Sequence, residues 1–234
     1  MKNIYFPNPI TLSQSIIIIS TTGRLNASIL FDIQSYYQKL GYQVRIGKSC
    51  FISRKLNEAD DQSRAKEIMD AIVDPKIGAI IFACGGEHSE RLLPYLDPLK
   101  IRKHSKIIIG YSDISSILSY FVETCHRVVY HGRMALDATS NTKKQTKMLR
   151  EVLEGRLSKI NLPSLKVLRP GKAEGVLKGG CISVLTKLLR GEYEPFYHHC
   201  ILFIEDIHES IHSLSHFFNS FDKAKKFNHL KGVL

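Results

Sequence analysis

Ile107-Ile108-Ile109-Gly110-Tyr111-Ser112-Asp113-Ile114 joins a short apolar run to a Gly-x-Ser-Asp turn. Consecutive β-branched residues closed by glycine read as a strand buried on both faces, here Lys106 to Ile109. The residues after the turn, Ile114 to Thr124, have the spacing of a helix. A serine held between strand and helix sits in a tight turn that lifts its hydroxyl clear of the sheet, which is how a nucleophile is exposed. The motif is partial, because the familiar elbow is G-x-S-x-G and Asp113-Ile114 follow the serine here. Ser112 or Asp113 capping the helix accounts for the same residues, and a serine can do both.

Working outward, short apolar runs alternate with amphipathic stretches, the pattern of a mostly parallel α/β sheet flanked by helices. Strands are expected at Ile16 to Ser20, Gln43 to Ile46, Gly78 to Phe82 and Arg127 to Tyr130. Helices are expected at Ala27 to Leu40, Glu58 to Val73, Ser89 to Leu93 and Lys143 to Leu153. After Ser158 to Gly171, a polar and proline-punctuated connection, a smaller unit starts. It reads as a strand Ala173 to Leu177, a turn at Gly179-Gly180, a helix Ile182 to Leu189, a strand Cys200 to Ile204 and a helix Ile211 to Phe221. Lys231 to Leu234 begins another strand, at which the sequence stops. The expected division is an N-terminal α/β domain over 1–140, a linking region over 141–172 and a truncated C-terminal α/β domain over 173–234. The apolar surface and open sheet edge this leaves make a homodimer an expectation.

Bulk composition narrows the classes. With 234 residues, 44% of them hydrophobic, the chain has ample material for a buried core. Ile16 to Ile19 is the longest apolar run near the start, far short of the roughly 20 residues of a membrane span. No export signal is recognisable, and five cysteines without a C-x-x-C pair suit a reducing cytoplasm. The net charge of +11 is scattered over helix faces and comes with no nucleic-acid-binding motif, so it reads as a basic surface that attracts small anionic substrates.

Four other groups bear chemistry. Gly85-Gly86 follows the strand next to the Ser112 strand, so both face one crevice, and its backbone N–H groups suit an oxyanion hole or a phosphate cradle. No G-x-G-x-x-G or G-K-[ST] accompanies it, and glycines set by turn geometry alone remain an alternative. Glu205 ends a buried strand, where it is placed either to orient a histidine or to meet water beside Asp206. Gly179-Gly180-Cys181 precedes a helix and reads as an anion site or a tight turn. Of the ten histidines, His208, His212 and His216 are spaced to share a helix face, which reads as solvated. None has a spacing that marks it as the partner of Ser112, and neither metal nor cofactor is expected.

These segments together resemble the LD-carboxypeptidase family of serine peptidases, which includes murein tetrapeptide carboxypeptidases and microcin C immunity peptidases. The matching pieces are Asp74-Pro75 through Ile80, Gly85-Gly86-Glu87-His88-Ser89 through Asp97, and Ile109 through Ile114. Tyr130-His131-Gly132, Gly175 to Gly180, Leu202 through Asp206 and Leu230 to Val233 follow in the family's order. The resemblance implies Ser112 as nucleophile, Glu205 as the acid of a triad and the N–H groups of Gly86 and Asp113 as the oxyanion hole, with Gly85 and Cys181 facing substrate. The implied reaction is hydrolysis of an amide bond in a murein L,D-peptide or a peptidyl or aminoacyl nucleotide. It implies a catalytic histidine several tens of residues beyond Glu205, hence none in this chain and impaired catalysis. The alternative is a truncated homologue that binds peptide or nucleotide without cutting it. Two positions depart from the pattern: Arg133 stands where proline is usual, and Cys181 where asparagine is.

Overall fold

The computed structural model describes residues 4–161 and 166–234. Five strands form the first sheet: β1 (Ser15–Ile19), β2 (Gln43–Ile46), β3 (Ile77–Phe82), β4 (Ile107–Gly110) and β5 (Tyr130–His131), in the order β2-β1-β3-β4-β5. All pairings are parallel. β3 and β4 are buried at every residue, because helices cover both faces of a parallel sheet.

On one face α1 (Ala27–Lys39) and two helices farther along the chain, α5 (Ala135–Ala138) and α6 (Lys143–Leu153), bury Leu30, Ile33, Tyr37, Ala135 and Leu153 against Ile16, Ile18 and Ile109. On the other lie α2 (Glu58–Val73), α3 (Pro98–Lys103) and α4 (Ser115–Glu123), which pack Ile68, Ile101 and Ile117 against Ile80, Phe82 and Ile108. A second parallel sheet, ordered β6-β7-β8, is built from β6 (Val176–Cys181), β7 (Cys200–Glu205) and β8 (Gly232–Val233). Its helices α7 (Ile182–Lys187) and α8 (Ile211–Lys223) bring Leu185 and Phe221, and β7 brings Leu202, into the same core as Ile117 and Tyr120 of α4. The two sheets therefore share one continuous apolar interior.

Three expectations change. The stretch 141–172 does not run as a linker from its start, since α6 packs into the first unit: the Ile10 N–H donates to the Leu153 carbonyl at 2.8 Å, and Arg150 reaches the Leu40 carbonyl. Residues 162–165 of the expected connection lie outside the described residues. Gly179-Gly180 is not a turn but the inner part of β6, paired with Phe203 and Ile204 of β7. Both glycines have positive φ, 143° and 149°, and a Cβ on Gly179 would overlap the Phe203 carbonyl oxygen, so glycine is required by the close approach of the neighbouring strand. His208 precedes α8, with Ser210 as the helix N-cap, and so does not share a helix face with His212 and His216.

Candidate active site

The carboxyl ends of β3, β4 and β5 open on one side of the first sheet, the side where parallel α/β sheets hold their ligands. Ser112 follows β4 in a single 3-10 turn, Ser112–Ile114, that leads into α4. Its φ is +57°, a left-handed conformation that costs a non-glycine residue about 1–2 kcal/mol and that occurs where the surrounding structure enforces it. Enforcement comes from packing below: a Cβ at Gly110 would sit 2.6 Å from Ile114 Cγ2, so only glycine lets the chain fold back so tightly. The turn is the strained elbow that the sequence suggested, made with Ile114 where the usual motif has its second glycine.

The Gly85-Gly86 loop lies directly against the serine. A Cβ at Gly85 would be 3.0 Å from Ser112 Oγ, and Gly86, with φ of 149°, would collide with the Thr22 side chain if it carried one. Thr22 Oγ1 donates to the Gly85 carbonyl at 2.8 Å, which ties this loop to the one after β1. On its other side the loop is clamped to the elbow itself. The Ser89 N–H donates to Asp113 Oδ2 at 3.1 Å, and its hydroxyl donates to the Asp113 carbonyl at 2.5 Å and meets Ser116 Oγ at 2.7 Å. Sequence reading offered Asp113 as a helix cap and as an oxyanion-hole N–H; its carboxylate and carbonyl also join the two loops.

That carboxylate is 1% exposed, and its Oδ1 has no hydrogen bond. Burial pushes it above the ordinary aspartate range, Ser89 pulls it back and Glu90 pushes it further up. A carboxyl raised in the folded state lends stability that is complete below its unfolded value and is lost as pH climbs through the folded value. Asp113→Asn removes that loss. Urea unfolding from pH 4 to 7 is therefore expected to show the variant gaining on the native chain as pH rises, whatever its offset at pH 4.

Glu205 reaches the site from the second sheet, at the end of β7 and paired with Cys181 of β6. Facing it from the first sheet is His131, which ends β5 beside Gly110, with Nε2 3.2 Å from Glu205 Oε1. Sequence reading met His131 only in Tyr130-His131-Gly132, right after a strand, and assigned it no partner. Its position at the tip of the strand next to the elbow was the available signal, since adjacent parallel strands end over the same crevice. β6 meets α4 here: the Cys181 N–H donates to Ser115 Oγ at 3.1 Å, and a Cβ at Gly180 would be 2.9 Å from the same oxygen. Cys181 itself is 5% exposed, and its thiol contacts Ser183 Oγ and Asp206 Oδ2, so touching substrate requires those contacts to part. Arg133 ties its own loop down through the Asp137 carbonyl and Ser140 Oγ.

Among the described residues no histidine is hydrogen-bonded to Ser112, and no group of three or more His, Cys, Asp or Glu is gathered to hold a metal ion. No described helix is long and apolar enough to cross a membrane. A cavity of about 520 Å³ lies elsewhere, between β2 and α2, lined by Arg45, Lys48, Glu67 and Asp70 and by none of the residues above.

Both the sequence and the fold of this chain have known relatives. The model of the LD-carboxypeptidase N-terminal domain matches residues 16–132, and that of the C-terminal domain matches residues 174–234. The chain belongs to the LD-carboxypeptidase family. It is 29% identical over 236 residues to the "Probable murein peptide carboxypeptidase" of Bacillus subtilis (strain 168), covering 98% of this chain and 74% of that one. It is 26% identical over 231 residues to the microcin C7 self-immunity protein MccF of Escherichia coli, covering 85% of this chain and 67% of that one. Its fold matches MccF in complex with glutamyl sulfamoyl guanosine with a TM-score of 0.82 at 23% identity, over 97% of this chain and 78% of that one. An MccF-like protein from Bacillus anthracis gives 0.84 at 22% identity, over 98% and 79%. Among LD-carboxypeptidases this chain thus has carboxypeptidase and MccF relatives alike, and both family domains fall on the two sheets described.

Proposed function

We propose that the chain is a serine-type carboxypeptidase in which Ser112 is the nucleophile, Glu205 the acid of the triad and the N–H groups of Gly86 and Asp113 the oxyanion hole. In the first half-reaction Ser112 Oγ attacks the carbonyl carbon of an amide and its proton passes to a base. The carbonyl oxygen, now negative, is held by the two N–H groups, and the amine leaves carrying that proton. Water then repeats the attack on the acyl-serine ester and frees the acid. Gly85 and Cys181 border the substrate. The observation that carries this reading is Ser112 itself, held at φ +57° at the end of β4 with the Gly85-Gly86 loop against its hydroxyl.

The base is a histidine that the family resemblance puts several tens of residues beyond the Glu205 segment. The second reading is a homologue that binds peptide or nucleotide without cutting it. The substrate class proposed is a murein L,D-peptide or an aminoacyl nucleotide. Solved MccF structures hold aspartyl sulfamoyl adenosine and adenosine monophosphate, and an anionic nucleotide would be drawn to a chain of charge +11. All five cysteines are free, as a reducing cytoplasm would keep them.

The test is mass spectrometry of an L,D-tetrapeptide and of an aminoacyl sulfamoyl nucleotide after incubation with the native chain and with Ser112→Ala. Cleavage of either that requires Ser112 supports the enzyme. Tight binding of either without cleavage, by a folded chain, supports the binder.

A further inference from the structure

We infer that His131 is a positioning residue for Glu205: its imidazole holds one carboxylate oxygen and leaves the other to orient the base. This rests on the reading of Glu205 as the triad acid. The two side chains come from different sheets, one from the end of β5 and the other from the end of β7, and meet at 3.2 Å. Glu205 Oε1 is buried and makes no hydrogen bond among the described residues, with His131 Nε2 3.2 Å from it, while its side chain as a whole is 35% exposed, so the carboxylate is sequestered on the His131 side and open elsewhere. An unpaired buried carboxylate oxygen is costly, and His131 Nε2, when it carries a proton, is the group close enough to offset the cost.

The ring that does this is itself fixed. Phe203 meets it edge-on at 5.0 Å between centroids, and Tyr111 at 6.2 Å. On the remaining side Gly180 leaves room: a Cβ there would come within 3.7 Å of His131 Nδ1 and within 2.9 Å of Ser115 Oγ. Tyr111 and Ser115 flank the elbow in sequence, so the imidazole lies between the nucleophile's turn and the acid's strand. His131 makes no hydrogen bond to Ser112, and Nδ1 makes none at all, so its influence passes through Glu205. A carboxylate free to swing by about 1 Å would hold the base poorly, a misplacement that can cost about 100-fold in rate.

Four variants test this: His131→Phe, His131→Gln, Glu205→Gln and the double variant His131→Phe/Glu205→Gln. Phenylalanine keeps the ring between Phe203 and Tyr111 but removes the N–H, whereas glutamine returns an N–H at similar reach. For hydrolysis of the L,D-tetrapeptide or aminoacyl sulfamoyl nucleotide, His131→Phe is expected to lower kcat by about 10- to 100-fold with KM little changed, and His131→Gln to restore most of it. Equal losses in both variants, or no loss in His131→Phe, would overturn the inference. A second measurement does not depend on catalysis. In urea unfolding the two single substitutions should be non-additive, with a coupling of roughly 3- to 10-fold in the unfolding constant. If no variant, nor the native chain, hydrolyses anything, the enzyme reading fails and this cycle decides: coupling upholds the His131 hold on Glu205, and additivity refutes it.

Discussion

Ser112→Ala is expected to reduce hydrolysis of any substrate the chain accepts by about a thousand-fold or more, leaving only the remnant that binding and the oxyanion hole supply. The substitution removes one oxygen and little else. Among the described residues Ser112 Oγ makes no hydrogen bond, and alanine at φ +57° bears the same left-handed strain as serine, so stability should stay within about 1 kcal/mol of native. Loss of activity with an unchanged unfolding midpoint would therefore report on chemistry and not on folding. The Gly85 and Gly86 loop keeps its clamp in the variant, because Thr22 and Ser89 hold it through groups other than the serine hydroxyl. Ligand binding should survive, and equilibrium dialysis with adenosine monophosphate or an uncleaved aminoacyl sulfamoyl nucleotide checks it. Retained hydrolysis in Ser112→Ala would remove the nucleophile assignment.

Gly179→Ala is expected to have the largest effect on stability, a loss of more than about 4 kcal/mol or failure to yield soluble protein. The new methyl group would overlap the carbonyl oxygen of Phe203, which is backbone and cannot rotate away, at a φ of 143° that alanine rarely adopts. Relief requires β6 and β7 to part, and that pairing is what carries Cys181 and Glu205 to the site. Gly171→Ala is the control, since a Cβ there meets nothing within 4 Å and should change stability by no more than about 0.5–1 kcal/mol. Thermal unfolding of the two variants side by side would show whether the strand pairing or glycine loss in general is responsible.

The first sheet could be read from the sequence because its three central strands, β1, β3 and β4, are isoleucine-rich runs whose burial needs helices on both faces. The elbow was legible for the same reason: strand, turn and helix are consecutive, so one local pattern contains all three. Gly179-Gly180 misled because paired glycines ordinarily mark a turn, and nothing in their own neighbourhood records that Phe203 of a later strand presses against them. α3 and α5 went unread because helices of six and four residues are too short to show a period. Asp97 and Pro98 nonetheless mark the start of α3, the Asp97 carboxylate accepting from the Leu99 and Lys100 N–H groups. The His131 contact with Glu205 joins two sheets that only the tertiary fold brings together, so no spacing along the chain could announce it. The Ser89 clamp on Asp113 is of the same kind.

The most direct test of the central claim, that Ser112 is an exposed and activatable nucleophile, is its reaction with a fluorophosphonate followed by intact mass measurement of the native chain and Ser112→Ala. A single adduct on the native chain that is absent from Ser112→Ala is the expected result. A folded native chain that takes up no reagent, or an adduct that persists in Ser112→Ala, would contradict it.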